Sequence, residues 1–210
     1  YYWFSGTRLL NEPLDAMLAD PDSDMPFCLC WANENWTRRW DAAEHEVLIA
    51  QQYLPGDDLE FIRSLIPFFR DPRYITLHGK PFLIVYRPQH LPNAKQSVKV
   101  WREHCRQVGI GEIHVAAALS HGNEDYLQFG CDRTVPVNEH VEWHAPFAGT
   151  LLEYRTVAQS YIKREYPERT VFRTVFPSWD NTARSGSRAL IVVDGTPSNY
   201  QNWLAESIVR

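Results

Sequence analysis

Short apolar runs separated by helix-forming stretches recur along this chain, and they constrain its fold more than any other feature. The runs cover residues 26–31, 81–86, 113–119, 133–137 and 171–176, and each is bounded by residues typical of turns. Runs of this length that are apolar at nearly every position are typical of strands buried on both faces. They therefore predict a parallel sheet.

Helical patterns lie between several of these runs. Residues 57–69 and 94–108 carry apolar side chains at helical spacing, and the two aspartates that open the first of these segments are its expected cap. A third helix is expected over residues 151–166. A further helix near the end of the chain is expected to begin at Ser198 as its N-cap.

Alternation of strands and helices predicts either a closed (β/α) barrel or an open doubly wound sheet. No Gly-x-Gly-x-x-Gly segment follows any apolar run, which removes the main support for a dinucleotide-binding sheet. The predicted fold class is therefore α/β, a (β/α)8 TIM-type barrel. Such a barrel has eight strands in typically about 250 residues. With five strands and the tail of another at residues 1–4, we expect an incomplete barrel that lacks N-terminal and final strands, in a single domain over residues 1–210.

The composition excludes several classes of function. A net charge of -5 with scattered basic residues offers no surface for nucleic acid. The apolar runs are far shorter than the roughly 20 residues that cross a bilayer, so no integral membrane segment is expected. The four cysteines, at positions 28, 30, 105 and 131, are too irregularly spaced for a disulfide framework or a zinc site. We expect free thiols, no metal and no cofactor.

The first candidate cluster is the polar and aromatic segment over residues 31–41, which follows the first apolar run. Its candidate substrate contacts are Trp31, Asn33, Glu34, Asn35 and Trp36. Parallel barrels place their active sites where strands end. Tryptophan rings offer flat apolar faces to sugar C–H groups, while amides and carboxylates hydrogen-bond to hydroxyls. The segment therefore predicts a sugar subsite.

A structural alternative accounts for the same residues. Trp31 and Trp36 can belong to the core, Glu34 can form an exposed ion pair with Arg38, and Asn33 can cap a turn.

The second candidate cluster, residues 177–184, follows the run at residues 171–176. Its candidate substrate contacts are Trp179, Asp180 and Asn181. Two such clusters at the ends of two parallel strands predict a shared pocket in which Glu34 and Asp180 converge. Here too a structural alternative stays open, because a tryptophan can cap a core and an Asp followed by Asn and Thr can form a turn.

Weaker candidates follow the other runs. Arg87 comes after the second run and precedes a proline, so it either contacts substrate or braces a turn. The remaining polar residues at strand ends are Ser120, His121, Asn138, Glu139 and His140, each of which is weak evidence alone. His121 and His140 are more typical of loop histidines, and His144, beside Trp143, is placed no better than chance.

Taken together, four segments resemble the WbsX-type glycosyltransferase family of bacterial polysaccharide biosynthesis, whose domain is similar to glycoside hydrolase family 99. The segments read CLCWANENWTRRW (residues 28–40), VLIAQQY (47–53), GKPFLIVYRP (79–88) and PSWDNTAR (177–184). The resemblance covers essentially the whole chain. It implies an eight-stranded (β/α) barrel that acts on glycans or sugar donors in lipopolysaccharide O-antigen or other surface-polysaccharide synthesis, and we expect a cytoplasmic enzyme.

The resemblance also implies where catalysis occurs. In that family the paired carboxylates are expected on the final strand, in a motif reading Asn-Glu-Trp-Ala-Glu-Gly, which lies beyond Arg210. The residues of the two clusters then line the site, and Glu34 can act as an assisting acid because a carboxyl group among tryptophans can have a raised pKa. Two other activities stay open, an endo-acting glycoside hydrolase such as an α-mannosidase and a carbohydrate-binding barrel without turnover.

Overall fold

The computed structural model describes residues 1–37, 46–119, 126–136, 149–165 and 172–209. They belong to two compact units. The first unit comprises Tyr1–Asn35 and Ala50–Val137, and the second comprises Trp36–Ile49 and Asn138–Arg210. The expected single domain over residues 1–210 stays a prediction, and each unit is described by itself.

The strands, in chain order, are β1 Tyr2–Phe4, β2 Thr7–Leu9, β3 Leu29–Trp31, β4 Trp36–Thr37, β5 Val47–Ile49, β6 Thr76–Leu77, β7 Lys80–Val85, β8 His114–Leu119, β9 Arg133–Pro136, β10 Thr150–Glu153, β11 Trp179–Asp180 and β12 Leu190–Val193. The α-helices are α1 Glu12–Ala19, α2 Asp57–Phe69, α3 Ala94–Gln107, α4 Tyr154–Lys163, α5 Thr182–Ser185 and α6 Pro197–Ile208.

The first unit is built on a parallel sheet in the order β3-β7-β8-β9, with β6 antiparallel on β7. These four parallel strands follow one another in chain order, which confirms the predicted parallel arrangement for the first four apolar runs. Among the described residues the sheets do not close into a barrel, so the fold that is established is a mixed α/β fold with a parallel sheet.

Helices α2 and α3 pack on this sheet through the apolar positions that predicted them. Phe61, Ile62 and Leu65 of α2 and Trp101 of α3 are fully buried in one core with the strands. The predicted cap of α2 was wrong, because Gly56 is its N-cap and has φ 86°. Asp57 instead accepts a hydrogen bond from the Trp3 indole N–H at 3.0 Å.

The chain start combines a parallel contact with an antiparallel hairpin. The Tyr1 amino group donates to the Cys30 carbonyl at 2.9 Å, and the Ala32 N–H donates to the Tyr1 carbonyl at 3.1 Å. These two bonds are the pattern of a parallel ladder. Strand β1, predicted as the tail of a strand, then pairs antiparallel with β2.

The second unit contains the β4-β5 hairpin and a three-stranded sheet in the order β10-β12-β11. Strands β10 and β12 are parallel, with Glu153 opposite Val193, whereas β11 is antiparallel to β12. The core of this unit forms where α4 and α6 pack together, around the fully buried rings of Tyr154 and Trp203.

The predicted strand at residues 171–176 was wrong. Residues 172–176 form no strand, and β12, which was not predicted, takes the central place in the sheet. Phe176 is partly buried and makes edge contacts with Tyr154, Tyr161 and Trp203, and its carbonyl accepts a hydrogen bond from the Tyr154 hydroxyl at 2.6 Å. The apolar character of Phe176 therefore reflects aromatic packing, not membership of a β-strand.

Two helix boundaries also differ from the prediction. The helix expected over residues 151–166 begins only at Tyr154, because the residues before it form β10. Thr196, not Ser198, is the N-cap of α6, and its side chain accepts a hydrogen bond from the Asn199 N–H. Among the described residues no helix combines the length and apolarity needed to span a bilayer.

Candidate functional site

Asn33 joins the carboxyl ends of β3 and β7. Its side chain is fully buried, and its Oδ1 accepts a hydrogen bond from the Arg87 N–H at 2.7 Å while its Nδ2 donates to the Arg87 carbonyl at 2.8 Å. A side-chain amide has the donor and acceptor of a peptide group, so Asn33 replaces a ladder pair where the strands have ended. Its buried position leaves it a bracing role instead of contact with a sugar.

Tyr53 completes this arrangement from a segment that lies outside both strands. The Asn33 Nδ2 donates to the Tyr53 hydroxyl at 3.1 Å, and that hydroxyl donates to the Asn33 carbonyl at 3.3 Å. Burial raises the pKa of Tyr53 to about 12, so the phenol stays protonated and remains a donor at neutral pH. Tyr53 was not among the predicted site residues, because its role depends on a contact with a residue 20 positions earlier.

Glu34 and Arg87 form an ion pair directly beyond these strand ends. The Arg87 Nη2 lies 3.3 Å from the Glu34 Oε2, and the two side chains are 13% and 34% exposed. The Arg87 guanidinium also lies over the ring of Tyr86, with its carbon 5.0 Å from the ring centroid. A carboxylate, a guanidinium and an aromatic ring are thus held together at a partly exposed strand end. Glu34 pairs with Arg87 in this arrangement, and Arg38 lies outside the described residues.

Trp31 belongs to the core, so its expected contact with substrate is corrected. The indole is 1% exposed and stacks on Phe61 with a centroid separation of 4.1 Å. Trp101 and Tyr53 make edge contacts with the same indole. Because alternate residues of a strand point to opposite faces, the position that ends β3 directs this ring onto the helices. No face of it is open to a sugar.

Asn35 and Trp36 continue the first cluster at less buried positions. The Asn35 Oδ1 accepts a hydrogen bond from the Gln51 N–H at 2.7 Å on the exposed surface. Trp36 is half-buried in β4, opposite Ile49 of β5. Asn35 therefore anchors the chain after β5, and the proposed sugar contact of both residues stays a prediction.

The second cluster surrounds β11 in the second unit. Trp179 is 38% exposed, which leaves part of its indole open. Asp180 accepts hydrogen bonds from the backbone N–H of Thr182, at 2.7 Å, and from its hydroxyl. These bonds hold the pKa of Asp180 below its usual value. Asp180 is therefore an ionised residue that forms an Asx turn, which is the arrangement of the structural alternative.

Asn181 extends the pairing of β11 with β12 by one step. Its Oδ1 accepts a hydrogen bond from the Leu190 N–H at 2.6 Å, and its own N–H donates to the Leu190 carbonyl at 3.2 Å. Both the side-chain oxygen and the backbone N–H of Asn181 thus stabilise the end of β11 against β12. The predicted convergence of Glu34 with Asp180 joins the two units and stays a prediction.

Gly195 lies at the carboxyl end of β12 and was missed by the sequence analysis. A Cβ at this position would lie 2.6 Å from the Pro177 carbonyl oxygen and 3.3 Å from the Tyr154 ring, so only glycine fits. The preceding Asp194 has φ 61°, which a non-glycine residue rarely adopts. The signal that could have identified this end was the run Leu190–Val193 followed directly by Asp-Gly.

The other candidate residues, Ser120, His121, Asn138, Glu139, His140 and His144, lie outside the described residues. Within the described ranges no group of three or more His, Cys, Asp or Glu side chains could hold a metal ion. The four cysteines are free, and burial raises the pKa of Cys30 to about 11 and those of Cys105 and Cys131 to about 12. These thiols stay protonated, so they are poor nucleophiles at neutral pH.

Comparison with known proteins extends these observations. The chain is 36% identical over 219 residues to a Xanthomonas campestris pv. campestris protein named "Uncharacterized protein WxcX", in each of two strains, and the match covers 99% of this chain. The chain spans only 32% of the length of these relatives. A solved structure named "Glycoside hydrolase-like protein" shares its fold with a TM-score of 0.50 at 12% identity, over 92% of this chain and 59% of that one.

The family model described as "Glycosyltransferase WbsX" matches residues 1–210, the whole of the sequence. The resemblance that the four sequence segments indicated is thereby confirmed. This chain belongs to the WbsX glycosyltransferase family.

Proposed function

We propose that this chain is the substrate-binding part of a glycosyltransferase that builds bacterial surface polysaccharide, such as lipopolysaccharide O-antigen, in the cytoplasm. Membership of the WbsX family and the glycoside hydrolase-like fold both support a carbohydrate-active enzyme. In this proposal the parallel sheet belongs to an eight-stranded (β/α) barrel in the longer protein. The substrates are a glycan acceptor and a sugar donor.

The observation that carries the proposal is the Glu34–Arg87 pair at the carboxyl ends of adjacent parallel strands. A carboxylate accepts hydrogen bonds from sugar hydroxyls, and a guanidinium donates to their oxygens. The backbone of Arg87 is fixed by Asn33, so the two groups are oriented before a sugar arrives. Preorganisation of this kind lowers the entropic cost of binding.

In this proposal the second cluster also contacts sugar. The open part of the Trp179 indole offers a stacking surface, and Asp180 offers an ionised acceptor. In this proposal the acid and base that cleave or form the glycosidic bond are the paired carboxylates that the family resemblance implies, with Glu34 assisting. No metal or cofactor is needed for chemistry between two carboxyl groups.

Hydrolysis is the second candidate, and the similarity to a glycoside hydrolase-like fold favours it. Transfer and hydrolysis share an oxocarbenium-like transition state and differ in whether water or a sugar hydroxyl attacks. Binding without turnover is the alternative from another class. It requires that the longer protein lack the paired carboxylates.

The test uses the full-length protein. Purified enzyme is incubated with bacterial surface-polysaccharide fragments, with and without a panel of nucleotide sugars, and products are identified by mass spectrometry. Donor-dependent extension by one sugar supports the transferase. Donor-independent cleavage supports the hydrolase, and retention of a fragment without product supports a binding role. If no fragment is bound or altered, the proposal is rejected.

A further inference from the structure

Two tyrosine hydroxyls fasten β3 to its surroundings, one at each end of the strand. At the amino end, the Tyr74 hydroxyl accepts a hydrogen bond from the Leu29 N–H at 3.2 Å and donates to the Phe82 carbonyl of β7 at 2.8 Å. At the carboxyl end, the Tyr53 hydroxyl accepts a hydrogen bond from the side-chain Nδ2 of Asn33 and donates to the backbone carbonyl of the same residue. The two contacts are alike in chemistry, but only one of them lies beside the candidate site.

The contacts at the carboxyl end form a continuous chain that ends at the ion pair. Tyr53 holds the side-chain amide of Asn33, the amide holds the backbone of Arg87, and the Arg87 guanidinium reaches Glu34. Asn33 and Glu34 are also consecutive, so the bond from the Tyr53 hydroxyl to the Asn33 carbonyl restrains the peptide that leads into Glu34. Both members of the pair are thus connected to one phenol.

From this connectivity we infer that Tyr53 is a positioning residue for the Glu34–Arg87 pair, acting through Asn33. The inference rests on the proposed function for its consequence in glycan recognition. Tyr53 itself does not contact the pair. Its hydroxyl keeps the Asn33 amide oriented with Oδ1 toward the Arg87 N–H and Nδ2 toward the Arg87 carbonyl.

The geometry of the pair makes it sensitive to this restraint. The bond between Arg87 and Glu34 is 3.3 Å long, beyond the usual 2.7–2.9 Å of a charge-assisted hydrogen bond. The attraction at that distance is weak, so the ion pair alone does not keep the two side chains in place if the backbone of Arg87 moves. The orientation of the guanidinium therefore depends on the hydrogen bonds that join Tyr53, Asn33 and the Arg87 backbone. The guanidinium and the carboxylate present fixed directions to sugar hydroxyls only while these bonds are formed.

The role of Tyr53 differs from that of an ordinary core residue. Its ring makes an edge contact with Trp31, at a centroid distance of 6.2 Å, and Tyr53→Phe keeps that ring in place. What the substitution removes is one donor and one acceptor at Asn33. Tyr74→Phe makes the same chemical change at the opposite end of β3, so it is the matched control for a general loosening of the sheet.

The experiment follows the Nε–H resonance of Arg87 by NMR in full-length protein labelled with ¹⁵N-arginine. The Arg87→Lys variant assigns the resonance by its disappearance. We expect Tyr53→Phe to shift the Arg87 resonance and to speed its exchange with solvent, and Tyr74→Phe to leave both close to wild type. Asn33→Ser, which removes the amide itself, is the second variant, and it should produce a change at least as large.

The outcomes separate this inference from the proposed function. An unchanged Arg87 resonance in folded Tyr53→Phe overturns the inference, and so does an equal change in Tyr74→Phe. If Tyr53→Phe does not fold, an Arg87 resonance that stays as in wild type in Asn33→Ser overturns it. Binding of the same proteins to an array of bacterial polysaccharides is measured in parallel, with a loss on the order of three- to tenfold expected for Tyr53→Phe. If wild type binds nothing on the array, the proposed function fails while the NMR comparison still decides the role of Tyr53.

Discussion

The side-chain amide of Asn33 hydrogen-bonds to both the N–H and the carbonyl of Arg87, 54 positions later in the chain. This contact continues the pairing of β3 with β7 past the last residue of either strand. It holds Asn33 and Arg87 together where the two strands have ended. The remaining polar groups of the site are arranged around it.

Asn33→Ala is expected to destabilise the protein by about 2–4 kcal/mol, because it leaves both the N–H and the carbonyl of Arg87 without their side-chain partner in a partly buried place. Urea denaturation of full-length protein measures the change. Asn35→Ala is the control, since the hydrogen bond from the Gln51 N–H to Asn35 lies on the exposed surface and its loss should cost less than about 1 kcal/mol. Equal effects in the two variants would contradict the bracing role of Asn33.

Trp31→Ala is expected to lower the free energy of unfolding by about 3–5 kcal/mol, the usual cost of removing a large ring from a packed core. The stacked contact with Phe61 and the 1% exposure of the indole are the reason. Trp31→Phe should recover a large part of this loss because it keeps an aromatic ring at the position. A Trp31→Ala protein with wild-type stability and weakened glycan binding would restore the original prediction for this residue.

Trp179→Ala and Asp180→Ala are expected to weaken glycan affinity while leaving the melting temperature of full-length protein nearly unchanged. Both side chains lie at exposed positions of β11, so little of the core depends on them. Asp180→Asn separates the two roles of that residue, because an asparagine keeps the turn to Thr182 but removes the charge. Titration calorimetry and thermal unfolding are measured together. A lowered melting temperature with unchanged affinity would favour the structural alternative.

Stability is expected to fall as the pH rises from about 9 towards 12. Burial raises the pKa of Cys30 to about 11 and those of Cys105 and Cys131 to about 12, whereas an exposed thiol titrates near 9. In this window the unfolded state has lost protons that the folded state retains, so the slope of unfolding free energy with pH is negative. Urea midpoints at several pH values measure it. Cys131→Ala should make the decline shallower, and an unaltered slope would contradict this account.

The parallel sheet of the first unit could be predicted because its strands are buried on both faces. Residues such as Leu83 and Val115, fully buried in β7 and β8, leave an unbroken apolar run in the sequence. The same reasoning failed at Phe176, since an apolar run does not distinguish a strand from a loop that packs aromatic rings. The strand over Leu190–Val193 was not predicted either, although turn residues flank that run as clearly as they flank the others.

Only part of the site could be predicted, because some of its contacts depend on tertiary structure that leaves no local sequence pattern. Glu34 and Arg87 were named because polar residues at strand ends are exposed to neighbouring loops, and adjacent parallel strands bring such ends together. Whether Trp31 points into the core or out of it depends on the face of the sheet that the helices cover, which no local pattern states. Tyr53 has no local signal, because its partner is fixed by tertiary structure.

The most direct measurement of the central claim is the glycan affinity of full-length protein with Glu34→Gln, compared with wild type. Glutamine is nearly isosteric but removes the charge, so it loses the ion pair with Arg87 and one acceptor for sugar hydroxyls. Glu60→Gln is the matched control, because Glu60 forms an exposed ion pair with Arg63 on α2. We expect an affinity loss on the order of tenfold for Glu34→Gln, with wild-type affinity in Glu60→Gln and similar melting temperatures in all three proteins. Wild-type affinity in Glu34→Gln would contradict the assignment of the Glu34–Arg87 pair as a sugar-binding site.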